Sequence, residues 1–199
     1  FLWIVTGLYA VGYMRGHHEK NQTRFFACFA IAIGGAMGVS FSANLFTLFA
    51  FYELLTLCTF PLVTHHGTPE AKRAGRVYLG ILLSTSVGLQ LLAIIWTWNL
   101  TGTLDFRPGG ILGGTASNSV LSILIALFVF GVGKAAVMPF HRWLPAAMVA
   151  PTPVSALLHA VAVVKVGVFT ILKVAIYTFG LSTLSELAST PWLRWIAAV

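Results

Sequence analysis

The stretch NSVLSILIALFVFGVGKAAVM, Asn118–Met138, followed at once by PFHRWLP, Pro139–Pro145, decides how this chain folds. An apolar run near the roughly 20 residues needed to cross a bilayer carries a lysine, Lys134, close to its end. A charge at mid-bilayer costs about 2.5–3.5 kcal/mol, so such a residue is kept for a reason. Pro139 has no N–H for the carbonyl of Ala135, and Gly131-Val132-Gly133 loosens the backbone just before Lys134. The expectation is a discontinuous helix near Lys134–Pro145. A broken helix at membrane depth is tolerated where it lines a cavity or is buried in protein, and transporters place ion sites at such breaks.

The rest of the chain reads the same way. It is 58% hydrophobic and only 9% charged, with a mean hydropathy of +0.89. Soluble domains carry about 25% charged residues. Five more apolar segments can be drawn: Phe1–Met14, Phe25–Ser40, Asn44–Val63, Arg76–Trp98 and Pro153–Tyr177. The fold class is therefore an all-α polytopic membrane protein of about six transmembrane helices, since a spanning backbone must satisfy its own hydrogen bonds. A further helix begins near Trp192, within residues 192–199. The chain starts inside one apolar run and stops soon after another opens, so it reads as a fragment with a single transmembrane domain over residues 1–199.

Charge fixes the orientation. The net charge of +7 is concentrated in short connections and points to topology, not to nucleic acid. Loops 15–24, 64–76 and 139–152 carry Arg15, Lys20, Arg24, Lys72, Arg73, Arg76 and Arg142. The intervening connections are neutral or acidic. The positive-inside rule puts the basic loops in the cytoplasm. The protein reads as an integral protein of a prokaryotic plasma (inner) membrane.

Inside the spans, four residues stand out. Glu53 lies mid-span, with Phe49, Ala50, Thr56 and Leu57 as helical neighbours. A lone acid there must be protonated, paired or facing water. Lys134 lies beside the break. Lys165 lies about 18 Å into the last full span, if Thr152 caps that helix and Pro153 opens its first turn. His159 precedes Lys165 by six residues, about 9 Å along the axis and on another face. His141 at the break and Lys173 near a span end are accessory candidates, Lys173 as a side chain that snorkels.

Other chemistry has no footing. Cys28 and Cys58 sit in apolar segments as small hydrophobes, and no Cys spacing suggests zinc, iron–sulfur or a disulfide. His17-His18 and His65-His66 read as solvated loop residues. There is no phosphate loop, nucleophile elbow or haem-attachment motif. Gly109-Gly110 and Gly113-Gly114 read as flexible linkage. The expectation is no cofactor, no metal and no catalytic redox site in this chain.

The run KAAVMPFHRWLPAAMVAPTPVSALLHAVAVVKVGVF, Lys134–Phe169, together with FYELLTL, Phe51–Leu57, resembles the antiporter-like subunits of respiratory complex I (NADH:quinone oxidoreductase) and of Mrp-type Na+/H+ antiporters. PTPVSALLH, Pro151–His159, is similar to the large subunit of Mrp systems and to the distal subunit of complex I. Ala146-Ala147 departs from the pattern, since many members carry an acid after WLP. The resemblance implies that residues 25–177 are the first of two inverted five-helix repeats. It implies a proton pathway through Glu53, Lys134, His159 and Lys165, with Glu53 as modulator. It also implies partners: other membrane subunits of a complex I-like or Mrp complex, the lipid bilayer, protons and, in the Mrp case, Na+. Any redox chemistry would then lie in other subunits. At an effective dielectric of about 20, a Glu–Lys pair at about 4 Å gains about 4 kcal/mol and keeps about half of that at about 8 Å. Separating Glu53 from Lys134 would thus help drive a proton off the lysine. Two other readings compete: an unrelated secondary transporter with its own substrate, and a scaffold bundle with no transport.

Overall fold

The structure, a computed structural model, describes residues 2–187. The helix expected near Trp192 lies outside them. Every regular element described is helical: α1 Leu2–Gly16, α2 Gln22–Phe41, α3 Leu45–Val63, α4 Pro69–Thr85, α5 Leu91–Thr101, α6 Asn118–Gly131, α7 Trp143–Ala146, α8 Thr152–Ala156, α9 Val163–Val174 and α10 Leu181–Glu186. One-turn π-helical segments join α4 to α5 (Ser86–Gln90) and α8 to α9 (Leu157–Val161), and a third, Ala175–Phe179, extends α9. Among the described residues, four helical runs are long and apolar enough to cross a membrane: Gln22–Phe41, Leu45–Val63, Pro69–Thr101 and Thr152–Phe179. α6 is a shorter apolar helix.

α2 and α3 pack as an antiparallel hairpin. Small residues let them approach: a side chain at Gly38 would overlap the ring of Phe51, and Gly35 faces Leu55. Asn44 opens α3 by accepting a hydrogen bond from the amide of Thr47, 2.7 Å. Thr68 does the same for α4 through the amide of Ala71, 3.1 Å, with Pro69 behind it. These side-chain oxygens satisfy amides that a helix start leaves without an intrahelical partner.

Four expectations need correction. The fourth span begins at Pro69, not Arg76, because its first two turns are amphipathic: Ala71, Ala74 and Gly75 are buried while Lys72, Arg73 and Arg76 face outward. Helix α6 ends at Gly131, well before Pro139, so the proline does not cause the break. Thr152 is the first helical residue and not a cap. Its hydroxyl donates to Tyr13 Oη at 3.3 Å, and the Pro151 carbonyl accepts from Val154 instead. The loop after α5 is pinned and not loose. Leu45 donates to Leu104 O and Phe106 to Ala43 O, both at 3.0 Å, while Ile111 and Leu112 both donate to Thr178 O. Gly110, with φ 88°, lies against the Phe179–Gly180 backbone, where a side chain would collide.

The buried core falls into two clusters. The larger joins α2, α3 and α4 to the segment after the break and to α9, with Phe25, Tyr52, Tyr78 and Trp143 among its largest buried side chains. The smaller lies between α5, α6 and the end of the last run, around Ile94, Phe128 and Phe179. The broken segment runs between them.

Candidate functional site

The break is built by close approach of backbones. Val132 leaves the α-helix at φ −81°, ψ 65°. Gly133–Ala135 forms one 3-10 turn, and Ala136 follows in the left-handed region at φ 55°. The Met138–Pro139 peptide is cis. A side chain at Gly131 would strike Gln90, and one at Gly133 would strike Thr85. A side chain at Gly167 of α9 would strike Ala135 N and Lys134 C. The broken segment is thus held between α4–α5 on one side and α9 on the other. Trp143 locks it from a third direction: its Nε1 donates to Gly133 O at 2.9 Å, and its ring meets Tyr78 edge to face at 5.5 Å.

Lys134 is 0% exposed. Its Nζ donates to Tyr52 O at 2.8 Å and to Thr56 Oγ1 at 2.6 Å, and lies 3.1 Å from the centre of the Tyr52 ring. Its backbone N–H donates to Tyr52 Oη at 3.1 Å. The charged end is held by a carbonyl, a hydroxyl and an aromatic face, all neutral. Two further hydroxyls continue this patch, since Thr59 Oγ1 and Tyr78 Oη lie 2.6 Å apart.

Glu53 does not close an ion pair with Lys134. Among the described residues, the ion pairs within 4 Å are those of Glu19 with His65, 3.5 Å, and His66, 3.8 Å. The reason is helical phase. Tyr52 and Thr56 are four residues apart and present one face to Lys134, whereas Glu53 is rotated from Tyr52 by about 100°. Glu53 is half-buried, and its Oε1 is buried with no hydrogen-bond partner.

The remaining candidates are dispersed. Lys165 sits at the middle of the 28-residue run Thr152–Phe179 but is exposed. Gly167, two residues on, is the point of contact with the break, so Lys165 points to the far side of α9 by about 160°. His159 is half-buried within the π-helical turn Leu157–Val161, and its Nε2 has no partner. His141 is half-buried after the break, its Nδ1 likewise without a partner. Lys173 does not snorkel freely: its Nζ donates to Ser42 O at 2.6 Å and to Ser40 O at 3.3 Å. It therefore ties α9 to the end of α2, where helix carbonyls attract a cation.

Sequence reasoning missed Tyr52, Thr56, Thr85, Gln90 and Trp143. A signal existed for the first two. Tyr52, Thr56 and Thr59 recur at spacings of four and three within an otherwise apolar helix, which puts hydroxyls on one face. Outside the spans, His65 is buried against Phe25, ring centres 5.3 Å apart, so the solvated-loop reading does not hold for it. Burial pushes its imidazole below the ordinary value, and the nearby Glu19 carboxylate opposes this only in part.

The bundle is that of a polytopic helical membrane protein with one fully buried lysine held at a helix break. Its sequence assigns it further. The chain belongs to the NADH:quinone oxidoreductase/Mrp antiporter transmembrane family, whose model matches residues 42–199. It is 34% identical over 183 residues to a chloroplastic NAD(P)H-quinone oxidoreductase subunit 5 of Zygnema circumcarinatum, covering 85% of this chain and 25% of that protein. It is 35% identical over 178 residues to the A/B subunit of a probable K(+)/H(+) antiporter of Rhizobium meliloti, covering 85% and 17%. The fold matches a chain in the structure of the Mrp complex from a Dietzia species, with a TM-score of 0.71, 26% identity and coverage of 87% and 18%. It also matches a chain of an archaeal membrane-bound sulfane sulfur reductase, with a TM-score of 0.72 and 24% identity, covering 85% and 34%. The chain spans a quarter or less of the length of the curated relatives named here.

Proposed function

We propose that this chain is part of a proton-translocating membrane subunit of a complex I-like or Mrp-type assembly. The observation that carries the reading is Lys134: a lysine with no exposed surface, at a helix break, held by neutral groups only. A static structural lysine would be expected to face a carboxylate. This one is solvated by a carbonyl, a hydroxyl and a ring, which can hold either protonation state. Glu53, out of direct contact but on the same helix as Tyr52 and Thr56, modulates the charge on Lys134 at a distance. His159 and Lys165 carry the proton onward along the Thr152–Phe179 run, and His141 borders the entrance at the break. Residues 25–177 form the first antiporter-like five-helix repeat. The basic segments 15–24, 64–76 and 139–152 face the cytoplasm of a prokaryotic cell. The partners are other membrane subunits, and Na+ is exchanged for protons in the Mrp-type case.

The test is Lys134→Ala in the complete protein, assembled and reconstituted in vesicles, read by proton uptake. Loss of uptake at normal assembly supports the reading, and undiminished uptake sinks it. Sodium dependence of the wild-type signal separates the Mrp-type from the complex I-type assembly.

A further inference from the structure

Gln90 is 0% exposed, and neither its Oε1 nor its Nε2 has a hydrogen-bond partner among the protein atoms. A glutamine amide offers two donors and an acceptor with two lone pairs, so one buried residue leaves several bonds unmet. Buried polar groups in folded proteins are almost always satisfied, by protein or by ordered water. Nothing about helix propensity demands a glutamine here. A leucine at the same buried position would carry no such penalty.

The position of Gln90 is as unusual as its isolation. It ends the π-helical turn Ser86–Gln90, in which Leu91 N donates to Ser86 O five residues back. Such turns widen the helix and occur often at functional sites. Hydroxyls crowd the same turn. Ser86 Oγ donates to Leu82 O at 2.7 Å, and Thr85 Oγ1 donates to Ile81 O at 3.0 Å. With their protons committed, both oxygens keep lone pairs free to accept. Across from them, Gly131 presses on Gln90 and Gly133 on Thr85, three residues and one residue before Lys134. The wall therefore holds donors from Gln90, acceptors from Thr85 and Ser86, and the end of α6, where helix carbonyls lose their intrahelical donors. A buried water needs two to four such partners.

We propose that Gln90 binds a buried water at the turn where α6 breaks, and that this water relays protons for the Lys134 site. The relay role rests on the proton-translocating reading above; the water site itself does not. Atoms balance simply: the water takes a proton on one lone pair as it releases another along a hydrogen bond. The polar face continues from Gln90 through Thr97 to Thr101, seven and four residues on, both with hydroxyls donating to backbone carbonyls. That face leads away from the basic loops, towards the connection at 102–117. Gln90 is thus a positioning residue for water, beside the broken segment where Gly131 meets it.

The experiment has two arms on the complete, assembled protein. The first is a structure at a resolution that shows ordered water. Density within hydrogen-bond reach of both Gln90 amide atoms is expected. Both amide atoms bonded to protein, with no such density, would overturn the site. The second arm is proton uptake in vesicles for Gln90→Met and Gln90→Asn, normalised to assembled protein. Methionine keeps the volume and removes the bonds, and uptake should fall about three- to tenfold, the factor one lost hydrogen bond makes in a water's occupancy. Asparagine keeps both amide functions and should retain most of the rate. Wild-type uptake in Gln90→Met overturns the relay, as does an equal loss in both variants, which would mean packing alone. Failure of the functional reading is told apart by Lys134→Ala: uptake that survives it removes the transport role while leaving the water density unaffected.

Discussion

Gly167→Ala is the smallest change that should uncouple the fold from its function. A Cβ at this position would collide with Ala135 N and Lys134 C, which are backbone and cannot swing aside. Overpacking of this kind costs about 1–3 kcal/mol. Alanine returns about 0.8–1 kcal/mol over glycine in a helix interior, so the net stability loss is about 0–2 kcal/mol and the protein still assembles. The site is less forgiving. Lys134 Nζ sits 2.6 Å from Thr56 Oγ1 and 2.8 Å from Tyr52 O. Displacing the broken segment from α9 by about 1 Å takes either bond beyond the range in which it counts as one. Each hydrogen bond to a charged group is worth about 1.5–3 kcal/mol, so losing one weakens the hold on the charged end of Lys134 by about that much. The assay pairs proton uptake in vesicles with the yield of assembled complex. The expected result is a drop in uptake much larger than the drop in assembly. Gly80→Ala is the control, because a Cβ there meets nothing within 4 Å. Wild-type uptake in a fully assembled Gly167→Ala protein would refute the claim that α9 sets the position of Lys134.

Two further predictions concern the rim. Lys173→Met removes the bonds to Ser42 O and Ser40 O at the end of α2 and should lower stability by about 1–2 kcal/mol, read as melting temperature, with uptake per assembled protein unchanged. Loss of uptake at full stability would instead return Lys173 to the pathway. His65 binds its proton less readily when folded, because burial outweighs the pull of Glu19. The unfolded chain then takes up protons at a higher pH than the folded one, so stability is full above the ordinary histidine range and falls as pH drops through it. The melting temperature should fall between about pH 7.5 and about pH 5.5, and His65→Phe should flatten that slope; an unchanged slope would mean that other groups govern it.

What was legible in the sequence was whatever depends on one helix at a time. Apolar run length located the spans, and the charge of Lys134 in such a run marked the site. What was not legible depends on two elements meeting. The sequence places the break near Lys134–Pro145, with Pro139 as its strongest helix-ending residue and Gly131 and Gly133 only loosening the backbone before it. The structure ends α6 at Gly131 because Gly131 and Gly133 must sit against Gln90 and Thr85, and that approach has no periodic signature. Glu53 is the natural partner for Lys134 on charge alone, yet phase on α3 gives the contact to Tyr52 and Thr56. The start of α4 is hidden because Lys72, Arg73 and Arg76 resemble a loop until the buried stripe of Ala71, Ala74 and Tyr78 is seen.

The geometry of α9 constrains any path between the two lysines. Gly167 is fixed against the backbone of Lys134 and Ala135, and Lys165 projects from the opposite side of the same helix. A proton passing from Lys134 to Lys165 must therefore go around α9, not across a gap between facing side chains. Just before α9, the π-helical turn Leu157–Val161 interrupts the i→i+4 ladder, and His159 within it keeps an unpartnered Nε2. That residue is about 9 Å from Lys165 along the axis. Lys165 itself would cost about 2.5–3.5 kcal/mol if it faced hydrocarbon. Its exposed mid-span position fits a face of α9 that another subunit or water covers, and on the proposed pathway that cover would supply the group after Lys165.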